Sequence, residues 1–199
     1  MMRKIPLLCA FALALSSCVD VKIASSIDKI SYFSLYSYAQ TSTPAKCHIN
    51  AKLALLDIYA YTPYDETYIY IFDTKTLEIT PLHAKKWISP PKEMLKMALL
   101  DRAKQNCFEI SMPPLGTQKL DKTLKLSLLS LQILNDNELY QVQMRVFYEF
   151  FSMGNYKSKS GMIESLIPLD SLSHEVLAPT FAKASDEVLT KLFHILKSL

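Results

Sequence analysis

Three observations predict an α+β fold of two layers, an antiparallel or mixed β-sheet with two amphipathic helices packed on one face. Tyr140 to Phe150 alternates apolar and polar residues with the period of two expected of a strand with one buried face. Two other segments, one behind Ser89-Pro90 and one at the C-terminus, repeat apolar residues three and four apart, as helices do. The order of segments is four strands, a helix, three or four strands and a helix. One sheet covered on one side satisfies that order.

Each element has its own justification. Tyr32-Phe33-Ser34-Leu35-Tyr36 is an aromatic, strand-like start, followed by a polar loop containing Pro44. The apolar run Ala51 to Tyr61 stops at the turn signal Thr62-Pro63-Tyr64-Asp65. Tyr68-Ile69-Tyr70-Ile71-Phe72 is almost purely β-forming, and Asp73-Thr74-Lys75-Thr76 turns it back into Leu77–Leu82 as a hairpin. The first helix is predicted with Ser89 as cap, Pro90 in its first turn, and Met94, Leu95, Ala98, Leu99 and Ala103 along one face. Gln105-Asn106 ends it, and Cys107–Met112 reads as a strand. In the next strand Leu124, Leu126 and Leu128 alternate before the phase slips to Leu129, Leu131 and Ile133. A bulge near Leu128-Leu129 absorbs such a slip without turning the face over. Asn135-Asp136-Asn137 turns the chain into the alternating strand, and Tyr156–Leu169 adds another. The last helix is placed from about Pro179, with Phe181, Ala184, Val188, Leu192, Ile195 and Leu199 as its stripe.

The N-terminus carries a separate signal. Arg3 and Lys4 precede the apolar run Ile5 to Leu15, about half the length of a bilayer span, and small residues follow. Leu15-Ser16-Ser17-Cys18 looks like the lipobox of bacterial lipoproteins, in which the cysteine is acylated and becomes the new N-terminus. The expected organisation is a signal peptide over residues 1–17, a lipidated start and tether over 18–30, and one domain over 31–199. Loss of Arg3 and Lys4, with no acidic residue, lowers the formal charge from +3 to +1. That removes most of any argument for nucleic acid as a partner. Acyl chains contribute about 0.8 kcal/mol per buried methylene, enough for stable anchoring without a membrane-spanning helix. In lipoproteins of this kind an aspartate directly behind the cysteine commonly favours the inner membrane. Here Val19 stands there and the aspartate comes one place later at Asp20, so the expected address is the outer membrane, facing the periplasm, with inner-membrane anchoring as the alternative.

Composition narrows the chemistry. Glycine occurs three times, at Gly116, Gly154 and Gly161, so no glycine-clustered phosphate loop is written here. Once Cys9 is cleaved off and Cys18 acylated, Cys47 and Cys107 remain. In an oxidising compartment they form a disulfide or stay as two buried thiols. His48, His83, His174 and His194 are scattered, and neither a metal-binding spacing nor a nucleophile motif is present. No catalytic residues, no metal and no cofactor beyond the lipid on Cys18 are expected, and the chain is not expected to be an enzyme.

Several stretches taken together resemble a known family. Tyr32-Phe33-Ser34-Leu35 after a short tether, Lys86-Trp87-Ile88-Ser89-Pro90-Pro91 followed by Met94-Leu95 and Leu99, the strand from Tyr140 to Phe151 and a terminal amphipathic helix stand in matching order. The chain is similar, over Tyr32 to Lys197, to the ABC-type transport auxiliary lipoproteins, the PqiC-like components of MCE-domain lipid transport systems. The resemblance implies a periplasmic lipoprotein without ATPase activity. Its partners would be an MCE-domain protein and an inner-membrane permease–ATPase moving phospholipid or other apolar molecules between membranes. Lipid itself and further copies of the chain are additional candidate partners. A structural or assembly lipoprotein for an outer-membrane protein complex is the alternative. Trp87 is the candidate docking residue or a core plug between strand and helix. Tyr68, Tyr70 and Phe72 line either an apolar lipid-contacting surface or the sheet face against the helices.

Overall fold

A computed structural model of the protein describes residues 29–35, 51–116, 122–152 and 157–198. Strands β1 (Ser31–Phe33), β2 (Ala51–Ala60), β3 (Tyr68–Asp73) and β4 (Ile79–Trp87) precede helix α1 (Pro91–Gln105). Strands β5 (Phe108–Ser111), β6 (Lys122–Asp136), β7 (Leu139–Ser152) and β8 (Lys157–Leu169) follow, and helix α2 (His174–Lys197) closes the fold. All eight strands belong to one mixed sheet, so the α+β architecture is as expected.

The sheet is organised around β6. One edge of β6 pairs along its whole length with β7, antiparallel, and β7 pairs in turn with β8. The other edge is shared. β2 runs parallel to the first half of β6, from Ala54↔Thr123 to Ala60↔Leu128, and β3 runs parallel to the second half, from Tyr70↔Gln132 to Asp73↔Asn135. β2 and β3 therefore act as one long strand interrupted by the excursion from Tyr61 to Thr67. β5 flanks β2, while β4 and then β1 flank β3. The register of β6 against β7 shifts between Leu128 and Ser130, the bulge that the sequence required. It falls opposite the interruption between β2 and β3.

Turn chemistry fixes two of the antiparallel hairpins, β6–β7 and β3–β4. Asn137 and Glu138 both have positive φ (53° and 65°), the geometry of a two-residue turn whose twist matches its strands. In the β3–β4 turn the Asp73 carboxylate accepts from the backbone N–H groups of Lys75 and Thr76, each at 2.9 Å. These two bonds are the main reason its pKa is lowered.

One face of the sheet supplies the core. Leu53, Leu55, Leu124, Leu126, Leu128, Leu131, Ile133, Val142, Met144 and Val146 are buried beneath the helices. α1 packs on β2 and β5, α2 packs on β7 and β8, and the helices touch each other. Phe193 of α2 lies 5.5 Å from Phe108, and Phe181 meets Trp87 edge-on at 4.8 Å. Arg102 of α1 is ion-paired with Asp186 of α2.

Two helix starts differ from expectation. Pro90, not Ser89, occupies the N-cap of α1, and Pro91 is the first helical residue. Proline's fixed φ suits that position and its missing N–H costs nothing there. The larger correction is α2, which begins at His174 with Pro179 inside it. Pro179 leaves the Glu175 carbonyl without its usual donor, but Leu177, fully buried, ties the extra turn to the core. The Glu175 carboxyl is held below its ordinary pKa by its own backbone N–H first and by the Ser173 hydroxyl.

Candidate functional site

The face of the sheet away from the helices is the candidate site. Alternation places Tyr68, Tyr70 and Phe72 opposite Ile69 and Ile71, and the register carries the sidedness across: Tyr70 lies beside Gln132, whereas Ile71 lies beside the core residue Ile133. The three aromatic residues of β3 therefore stand on the open face and not against the helices. Tyr32 (61% exposed), Tyr59 (48%), Tyr61 (61%), Phe151 (38%) and Met162 (51%) add to its exposed apolar surface, as do Ile79 beside Phe72 and Leu166 beside Gln143.

The centre of this face is polar and hydrogen-bonded. Tyr64, carried over the sheet by the excursion, donates its hydroxyl to the Gln132 amide oxygen. Gln132 Nε2 donates to Gln143 Oε1 at 2.9 Å, and Gln143 Nε2 donates to Glu164 Oε1 at 2.8 Å. Ser130 Oγ donates to the same Gln143 oxygen at 3.2 Å, and Arg145 stands 3.8 Å from Glu164. Burial raises the Tyr64 pKa, opposed by the Arg145 charge. Tyr70 packs edge-on to Tyr64 and donates its hydroxyl to Glu66 Oε2 at 2.8 Å. Desolvation first, and then that hydrogen bond and the Glu66 charge, push the Tyr70 pKa up to about 12. Cations lie over aromatic rings at the margins: Lys86 Nζ is 4.5 Å from the Tyr68 centroid, and Lys125 Nζ is 5.2 Å from that of Tyr59. Lys125 also pairs with Glu149 at 3.1 Å, which raises its pKa.

The other candidate residues fall elsewhere. Trp87 is 1% exposed and lies in the core between β4 and α2, with its Nε1 lacking a hydrogen-bond partner among the described residues. Cys107 is disulfide-bonded. Cys47, the candidate partner under one of the two alternatives, and Cys18, the expected lipidation site, lie outside the described residues. Among the described residues no group of three His, Cys, Asp or Glu could hold a metal ion, and no helix is long and apolar enough to cross a membrane. Sequence reasoning missed Tyr64, Gln132, Gln143 and Glu164 because they sit far apart in the chain. Their one visible signal is the pair of glutamines at polar positions of two strongly apolar strands.

No protein-family model matches the chain, and no curated protein matches it significantly. Solved structures do. The fold is a known one. XCC0632 from Xanthomonas campestris, of the family model DUF330, aligns with a TM-score of 0.65 at 14% identity over 85% of this chain and 93% of that one. An uncharacterized protein aligns at 0.66 with 11% identity, over 85% and 99% of the two chains. The hypothetical protein CT253 from Chlamydia trachomatis aligns at 0.52 with 9% identity, over 74% and 96%. At such identities the likeness is one of fold.

Proposed function

We propose that this chain is a lipid-anchored accessory lipoprotein of an MCE-type transport system, without catalysis of its own, held at the periplasmic face of the outer membrane. The observation that carries the reading is the open, aromatic-rimmed sheet face on a domain preceded in the sequence by Leu15-Ser16-Ser17-Cys18. Such a face offers a partner protein amphipathic tyrosines, which bury large area at little entropic cost. The family resemblance names an MCE-domain protein as that partner, and the likeness of fold to XCC0632 is compatible with it. Affinity capture with the full-length chain from detergent-solubilised membranes tests the reading. An MCE-domain protein should be recovered, and Tyr59→Ala with Phe151→Ala should reduce its recovery at least tenfold. Failure to recover one under conditions that preserve the complex refutes the partner. Cys18→Ala should release a folded domain from membranes washed in high salt, and a mature chain without acyl groups on Cys18 refutes the anchor.

A further inference from the structure

The edge of the sheet where the described chain begins is both cationic and amphipathic. Lys29 and Ile30 lead into β1, whose register sets Ser31 beside Lys85 and Tyr32 beside Lys86. Lys86 faces Tyr68 on its other side and lies over that ring. Tyr32, Lys86 and Tyr68 thus form one row across three strands, with Lys85 projecting to the opposite side of the same edge. Ile30 (40% exposed) and Ile88 (63%) extend the apolar component. Lys29, Lys85 and Lys86 make no ion pair among the described residues; other lysines such as Lys92 and Lys183 are likewise without one, but these three share one sheet edge with exposed tyrosines. The carboxylates of the adjoining excursion are already engaged, Glu66 by the Tyr70 hydroxyl and Asp65 by Thr62 at 3.5 Å.

We infer that this β1–β4 edge docks on the surface of an anionic phospholipid bilayer, as a second attachment beside the lipid anchor. The inference rests on the anchored reading in one respect. From Cys18 to Lys29 the chain can span at most roughly 40 Å, so an acylated Cys18 keeps this edge within reach of the membrane. Lysines free of carboxylates attract anionic headgroups, worth about fivefold in partitioning for each. Their aliphatic stems and the neighbouring tyrosines match the apolar-to-polar gradient of the interface. A partner protein would gain the same tyrosines but would leave the unpaired lysines to be matched by carboxylates of its own.

The test uses the mature acylated chain in protein-free vesicles of phosphatidylcholine, with and without phosphatidylglycerol, and measures lysine acetylation by mass spectrometry. Lys29, Lys85 and Lys86 should label roughly fivefold more slowly on the phosphatidylglycerol vesicles, while Lys183 on α2 labels alike on both. High salt should abolish the difference. Tyr32→Ala with Lys86→Glu should restore labelling of Lys29 without altering the far-UV spectrum. Equal labelling on both vesicle types overturns the inference, as does protection seen in native membranes but not in protein-free vesicles, which would assign the edge to a protein. A chain found without acyl groups at Cys18 refutes the anchor instead, so the two failures are distinguishable.

Discussion

Replacing Trp87 by phenylalanine separates two opposing contributions of one side chain. The indole is 1% exposed and meets Phe181 with 87° between the ring planes, so truncation sacrifices buried surface. Indole to phenyl removes about 40 Å² of apolar area, or ~1 kcal/mol at about 25 cal/mol per Å². The cavity of about 40 Å³ adds ~1 kcal/mol at roughly 24 cal/mol per Å³. Against this stands Nε1, buried without an acceptor among the described residues, whose removal returns about 1–3 kcal/mol of desolvation cost. The net change for Trp87→Phe is therefore within about 1 kcal/mol of zero. Phe181→Ala has no such offset and should cost about 3–5 kcal/mol. Urea denaturation followed by far-UV circular dichroism measures both, provided the slope m is unchanged. A loss of 3 kcal/mol or more for Trp87→Phe would show that Nε1 is satisfied in the folded protein and would refute the argument. Unchanged stability in Phe181→Ala would refute the edge-on packing.

Three further substitutions probe the sheet. Tyr70 keeps its proton to about pH 12 in the fold, against about 10 when unfolded. Its contribution is complete below pH 10 and is lost as the pH rises towards 12, so Tyr70→Phe should flatten the alkaline fall in melting temperature. Gly161→Ala would bring a Cβ to 3.0 Å from the hydroxyl of the buried Tyr148; a cost of about 1–3 kcal/mol, shrinking when Tyr148→Leu is added, is expected in the same denaturation assay. Gln132→Leu strands the Tyr64 hydroxyl and one bond of Gln143 and should cost about 1–3 kcal/mol. Adding Tyr64→Phe should recover part of that loss, as a double-mutant cycle would reveal.

Much of the fold was legible because local period and buried face coincide. β7 alternates without interruption, so its five buried residues from Val142 to Phe150 could be read directly, and the slipped phase of β6 required the bulge found between Leu128 and Ser130. The start of α2 was misread because proline is commonest at a helix's first position, whereas here the burial of Leu177 extends the helix past it. β3 was ambiguous for a different reason. Both of its faces are apolar, Ile69 and Ile71 on one and the aromatic residues on the other, so alternation alone cannot say which side takes the helices. The hydroxyls of Tyr68 and Tyr70 were the available clue, since a tyrosine oxygen seeks a polar neighbour, and Glu66 supplies one. The end-to-end placement of β2 and β3 along β6 had no sequence signature, because parallel pairing across a long loop leaves no local trace.

The interruption also bears on what the open face can accept. A second apolar layer over this side of the sheet would require apolar residues at its centre, where Ser127, Ser130 and Gln132 are instead buried and polar. The hydrogen bonds of Ser130 and Gln132 are already closed by Gln143 and by Tyr64 from the excursion. Covering them with another apolar element would gain little from polar groups that are already out of water, and would displace Tyr64 from them. The exposed aromatic and other apolar residues lie around this closed centre, at Tyr32 and Tyr68 on one side and at Tyr59, Phe151 and Met162 on the other. Binding energy on this face is thus available at the rim and not in the middle. That geometry suits two separate contacts, a membrane surface at the β1–β4 edge and a protein across β2, β7 and β8, better than one continuous interface.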